Sequence, residues 1–283
     1  MSIKRIDEAF ARCGERTALI PFITCGDPSA EATLAMMHAM VKSGVDVIEL
    51  GVPFSDPMAD GKVIQLATER AIANGMTLKG VIEVVRRFRE DNQHTPIVFM
   101  GYANPIEAMG WEQFTQAAAE AGVDGVLIVD YPPEEFAEVA PYFEAAELAP
   151  IFLIAPTSTD ERIKKVGEIA KGYVYYVSLK GVTGSGALDT DDVKIKVQNI
   201  KRFVNIPVGV GFGIQDVDSA RAIAAVADAV VIGSKLITTV QAALAGQAEE
   251  RHAELAAAAA GAWLADIRQG LDTLEPVSYT HLT

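Results

Sequence analysis

Apolar and polar positions along this chain change period repeatedly. Short runs rich in β-branched and aromatic residues occur at 18–24, 45–50, 97–102, 125–130, 151–155, 173–178, 207–211 and 229–232. Between them lie stretches with apolar residues at helical spacing, at 31–41, 63–73, 81–90, 111–121, 134–145, 161–170, 193–203 and 219–225. Apolar strands that each feed an amphipathic helix predict an all-parallel sheet covered by helices. Eight such units, with no Pro- or Gly-rich linker between them, fit a (β/α)8 TIM barrel better than a doubly wound open sheet. Ile3, Ile6 and Phe10 recur at helical spacing among charges, so an additional N-terminal helix is expected before the first strand. Residues 1–270 are read as one barrel domain, closed by helices within 242–271. Residues 271–283 are read as a disordered C-terminal tail, since no periodicity survives beyond Glu275.

Composition narrows the partners. A chain of 283 residues is long enough for one α/β barrel. Its 24 Lys and Arg against 38 Asp and Glu give a net charge of −14, which repels phosphate backbones and anionic lipid. Nucleic acid and membrane surfaces are therefore not expected partners. The longest apolar run, Leu255–Ala265, falls well short of the ~20 residues that span a bilayer. Cys13 and Cys25 form neither a disulfide scaffold nor a zinc-site spacing, and no signal-peptide core precedes them, which predicts a cytoplasmic protein. In so acidic a chain, a phosphorylated small molecule would have to be held by local backbone N–H groups.

Chemistry in a barrel gathers at the C-terminal ends of the strands. In the second run, alternation places Glu49 with Val45 and Val47 on the inner face, and Ile48 and Leu50 toward the helices. A carboxyl group among apolar neighbours has its pKa raised, which suits acid–base work near neutrality. The loop 51–61 carries two prolines and ends at Asp60-Gly61 before an apolar helix. Asp60 there is either a helix N-cap or the second carboxylate of a pair. Glycines cluster at the last three strand ends, at 181–186, 209–213 and 233, where backbone N–H groups can cradle a phosphate. None of the four histidines falls at a strand's C-terminal end, so neither a metal site nor a histidine base is expected.

Glu49-Leu50-Gly51-Val52-Pro53-Phe54-Ser55-Asp56-Pro57, continuing to Ala59-Asp60-Gly61, resembles the tryptophan synthase alpha subunit family. Pro21-Phe22, Gly26-Asp27-Pro28 and Gly181-Val182-Thr183-Gly184 extend the resemblance, which runs from about residue 3 to about residue 265. It implies retro-aldol cleavage of indole-3-glycerol phosphate to indole and glyceraldehyde 3-phosphate. It also implies a tryptophan synthase beta subunit as partner, in an αββα assembly. The pyridoxal phosphate belongs to that partner, and this chain is expected to carry no cofactor. By the same resemblance Glu49 is the acid–base group, Asp60 the partner of the indole N–H, and Tyr175 an active-site tyrosine. Phe22, Met100, Leu127, Leu153 and Phe212 take indole-pocket positions, and Gly184, Phe212, Gly213, Gly233 and Ser234 phosphate positions. Thr183 falls on the loop that reaches toward Asp60. The chain departs from the family in carrying Lys62 where a proline follows Asp60-Gly61. An alternative from the residues is a Schiff-base aldolase on the same barrel, with Lys180 as nucleophile.

Overall fold

The computed structural model describes residues 2–177, 190–211 and 213–274. Nine parallel strands form the sheet: β1 Ala18–Thr24, β2 Ile48–Gly51, β3 Ile97–Gly101, β4 Gly125–Ile128, β5 Ala149–Ile151, β6 Leu153–Ile154, β7 Val174–Val177, β8 Val208–Gly211 and β9 Ala229–Ile232. Their order, β5-β4-β3-β2-β1-β9-β8-β7-β6, leaves β5 and β6 at the two ends, and only Phe152 separates them in the chain. One stretch therefore closes the barrel, pairing with β4 through Ala149–Ile151 and with β7 through Leu153–Ile154. The expected fifth strand is present but exchanges neighbours at Phe152, whose carbonyl accepts the Tyr175 N–H at 3.0 Å. Eight βα units with one strand shared across the seam make a TIM barrel.

The helices are α1 Ser2–Cys13, α2 Ala30–Lys42, α3 Lys62–Ala73, α4 Leu78–Asp91, α5 Ala103–Met109, α6 Trp111–Ala121, α7 Ala140–Ala145, α8 Asp160–Ile169, α9 Thr190–Lys201, α10 Val217–Ala224, α11 Ser234–Leu244 and α12 His252–Asp272. Two expectations shift. The helix read over 134–145 shortens to α7, preceded by a 3₁₀ turn at Phe136–Glu138, and Pro141 sits in its first turn. Residues 103–109, which fall outside every element expected from the pattern, form α5. The closing helix α12 runs to Asp272 and buries Leu271, beyond residue 270. Residues 275–283 of the expected tail lie outside the described residues.

Strand alternation divides the core into two layers. Leu19, Ile48, Leu50, Phe99, Val126, Val210 and Val230 face the helices. Ala18, Ile20, Val47, Val98, Leu127, Ile151, Tyr173 and Val231 fill the barrel interior. Each such large apolar side chain, fully buried, contributes about 1.5–3 kcal/mol. Val45 packs in the outer layer rather than with Val47, because β2 starts only at Ile48. Asp46 is turned to other work: its carboxylate accepts the Leu19 N–H at 2.9 Å and an Arg16 N–H at 2.5 Å. At the strands' N-terminal ends α1 plugs the barrel. Ile6, Ala9 and Cys13 join the interior layer, and the Phe10 ring lies 5.9 Å from that of Tyr173. Buried Asp124 ties this floor together, accepting from the Ile97 N–H, Arg89 and Arg5 at 2.8 Å each. The ionic and apolar ties at the floor serve stability; the described residues leave the opposite end open.

Candidate active site

That open end holds a cavity of about 280 Å³. Its lining takes Phe22 from β1, Glu49 from β2, Met100 from β3 and Tyr175 from β7. Gly213 after β8, and Gly233 and Ser234 where β9 passes into α11, complete one side. An adjoining hollow holds Asp60 and shares Phe22, Ile64 and Met100 with the first, so the two carboxyl groups flank a common apolar wall.

Glu49 is 0% exposed because β2 sends Ile48 and Leu50 outward and leaves position 49 facing in. Its Oε1 accepts the Tyr173 hydroxyl at 2.5 Å, while Oε2 is buried with no hydrogen-bond partner among the described residues. Burial pushes the Glu49 pKa up to about 7, against the opposing pull of the Tyr173 hydrogen bond. The carboxyl group can therefore hold or release a proton near neutrality.

Asp60 is not the helix cap. Gly61, with φ −72° and ψ 160°, occupies the N-cap of α3, and no side chain caps it. Burial raises the Asp60 pKa, and a hydrogen bond with the Tyr102 side chain opposes the rise. The Tyr102 hydroxyl also accepts the Ala59 N–H at 3.0 Å, and Gln65 Nε2 donates to the Asp60 carbonyl at 2.8 Å. These two contacts position the segment that carries the carboxylate. Tyr175 lies over the adjacent strand β8: a Cβ at position 211 would lie 2.1 Å from its hydroxyl oxygen, so only glycine fits there. Burial, then the charges of Glu49 and Asp60, hold that hydroxyl firmly protonated.

The remaining lining suits an anion. Gly213 takes a φ of +51°, a conformation that favours glycine, and turns the loop after β8 over the cavity. Helix α11 starts at Ser234 with no side-chain cap hydrogen bond, so among the described residues no side-chain cap takes up its first N–H groups at the rim. The neighbouring α10, by contrast, is capped by Asp216 and Ser219.

Seven of the residues singled out in the sequence meet in the larger cavity, and Asp60 lines the smaller. Leu127 is fully buried in the barrel interior and Leu153 packs against that layer; neither lines either space. Thr183, Gly184 and Phe212, with Lys180 of the alternative reading, lie outside the described residues. Tyr173, Tyr102, Ile64 and Lys235 enter the site without having been singled out for a role in it. For Lys235 a signal existed: a cation in the first turn of a helix opposes its macrodipole. A wider groove of about 630 Å³, lined by Arg5, Thr115, Gln116 and Tyr142, lies at the plugged end, remote from both carboxyl groups.

A family model described as "Tryptophan synthase alpha chain" matches residues 9–263. The chain is 60% identical over 274 residues to the tryptophan synthase alpha chain of Bordetella bronchiseptica, covering 96% of each. With that of Burkholderia ambifaria identity is 57% over 272 residues, 95% of this chain and 97% of the relative. A crystal structure of tryptophan synthase subunit alpha from Legionella pneumophila superposes with a TM-score of 0.88 at 41% identity, covering 95% of this chain and 99% of that one. A chain of the tryptophan synthase complex from Pyrococcus furiosus gives 0.77 at 33%, covering 89% and 98%.

Proposed function

The chain belongs to the tryptophan synthase alpha chain family and is its lyase, cleaving indole-3-glycerol phosphate to indole and glyceraldehyde 3-phosphate; on that premise we propose which of its residues do the chemistry. Glu49 carries the proton, Asp60 pairs with the indole N–H, and Tyr175 shapes the space between them. The phosphate lies against Gly213, Gly233 and Ser234, with Gly184 and Phe212 added by resemblance alone, as is Thr183 on the loop that reaches toward Asp60. The observation that carries this reading is the buried Glu49 carboxyl group with its pKa near 7, one oxygen without a partner among the described residues, in the wall of a cavity whose rim bears a helix with no side-chain cap.

The reaction must break the bond between indole C3 and the adjacent glycerol carbon. A proton adds at C3, and the positive charge that this places on the ring system is met by the Asp60 carboxylate at the ring N–H. The hydroxyl on the adjacent carbon gives up its proton, the carbon–carbon bond breaks, and its electron pair restores the aromatic ring as the aldehyde forms. One proton enters at carbon and one leaves from oxygen, so a single group with a pKa close to ambient pH can serve both steps. Glu49 meets that requirement. Asp60 meets a different one: it must be ionised, and Tyr102 helps it stay so.

A beta subunit completes the proposal. The Pyrococcus neighbour is from a tryptophan synthase complex, and the loop after β2 leaves Met58 77% exposed at the open rim. Pyridoxal phosphate belongs to the beta partner, with none in this chain. Among the described residues no helix is long and apolar enough to cross a membrane, and we read the chain as cytoplasmic.

The test is indole release from indole-3-glycerol phosphate, with and without a beta subunit. Glu49→Gln and Asp60→Asn keep shape and remove proton and charge chemistry, so each should lower turnover by roughly 10²–10⁴-fold with the fold intact. Near-native turnover in Glu49→Gln would overturn the assignment of Glu49.

A further inference from the structure

The described residues lining the larger cavity include a single cation, Lys235, beside Gly213, Gly233 and Ser234. We propose that Lys235 is a phosphate-binding residue of this site, its ammonium closing on the substrate's phosphoryl group over the first turn of α11. The inference rests on the reading above, that the cavity takes a phosphorylated substrate.

Three observations carry it. Lys235 is the second residue of α11, and helical side chains tilt toward the N-terminus, so a four-carbon stem there reaches back over the uncapped turn. The position is unfavourable for a cation in the empty protein, since the helix dipole places positive charge at the same end. A dianion at that turn reverses the sign, because it is attracted by the dipole and the ammonium together. Finally, the ammonium is not committed elsewhere: among the described residues it forms no ion pair. Asp216 feels its charge, but that carboxylate is engaged by the Ser219 N–H at 2.9 Å and the Ser219 hydroxyl at 2.7 Å. In a chain of net charge −14, this lysine supplies the local attraction that the whole molecule lacks.

The role makes a divided prediction, since Lys235 touches the phosphoryl group and not the reacting bond. Full-length Lys235→Gln should raise KM for indole-3-glycerol phosphate and weaken glycerol 3-phosphate, used as a competitive probe, by roughly ten- to a hundredfold. Turnover at saturation should stay within about twofold, indole affinity should be unchanged, and Lys235→Arg should restore most of the loss. Added salt should weaken glycerol 3-phosphate more in the native chain than in Lys235→Gln. A Lys235→Gln chain that binds glycerol 3-phosphate within about twofold of native would overturn the proposal. So would parallel loss of glycerol 3-phosphate and indole affinity, which marks a structural role. Should the native chain bind glycerol 3-phosphate yet release no indole, the reaction assignment fails, while the lysine is still judged by the binding comparison.

Discussion

Replacing Tyr173 by phenylalanine isolates the group that sets the Glu49 proton affinity. The substitution removes one oxygen and leaves the ring, which packs against Phe10 in the barrel interior. What is lost is the 2.5 Å hydrogen bond into Glu49 Oε1, which favours the ionised carboxylate. A hydrogen bond to a charged acceptor is worth roughly 1.5–3 kcal/mol, and each pH unit of proton affinity corresponds to about 1.36 kcal/mol. The Glu49 pKa, already about 7 in the native protein, should therefore rise by roughly one to two pH units. The sign follows from which form the bond stabilises: without it the proton is held more tightly. The assay is the pH dependence of kcat/KM for indole release, which reports groups of the free enzyme. Glu49 gives its proton to C3 first, so the limb on which activity is lost as Glu49 ionises should move upward by the same one to two pH units, leaving activity at pH 7 within about twofold and raising that at pH 9 by roughly ten- to fiftyfold. A profile that keeps its native midpoint while its height falls would refute the coupling and leave Tyr173 a packing residue.

Two further outcomes follow from the same geometry. Glu49 binds its proton more tightly folded than unfolded, so stability is lost as pH rises from its ordinary value of 4.5 through about 7. Glu49→Gln should gain at most about 3 kcal/mol of stability at pH 8 and nothing at pH 4, read from urea midpoints; equal gains at both would refute it. Lys62 is the first residue of α3, where its N–H needs no helical partner, and Gly61 before it is already extended at ψ 160°. Lys62→Pro should favour the ordered loop by about 0.4–1 kcal/mol, slowing proteolysis within 51–61 and raising indole formation up to severalfold. No change in either would show that this junction carries no weight in closure.

The barrel and Glu49 were legible for one reason: strand alternation is local. Four residues, Ile48 to Gly51, suffice to say which side chains face inward, and at Glu49 that placement held. Val45 failed because nothing local reveals that Asp46 is pulled out of register by the Leu19 N–H and Arg16, from another part of the chain. The partners of the two acids were hidden for the same reason. Tyr173 lies 124 positions from Glu49, and they meet only because β2 and β7 face one another across a closed barrel. Tyr102 reaches Ala59 across the β3 end. Asp60 allowed two readings from sequence because cap and catalytic aspartates occupy the same place before a helix. The cap geometry of Gly61 removes one of them. The exchange of neighbours at Phe152 leaves no trace in the pattern, since Ile151 and Leu153 face in and Phe152 faces out as in any unbroken strand.

The plug formed by α1 turns the barrel into a vessel with a sealed base. Ile6 and Phe10 fill the end that a hollow cylinder would leave open, so whatever enters at the strand tips must depart the same way. Cleavage then imposes an order on departure. With the phosphate placed as proposed, against Gly213, Gly233 and Ser234, the aldehyde fragment stands between the deeper aromatic product and the exit. Whatever covers that single doorway governs both arrival and escape: a docked partner can receive the aromatic product before solvent does, and a sluggish phosphoryl group delays the next round. Traffic through one aperture makes the grip on the outer fragment a timing element for the inner one.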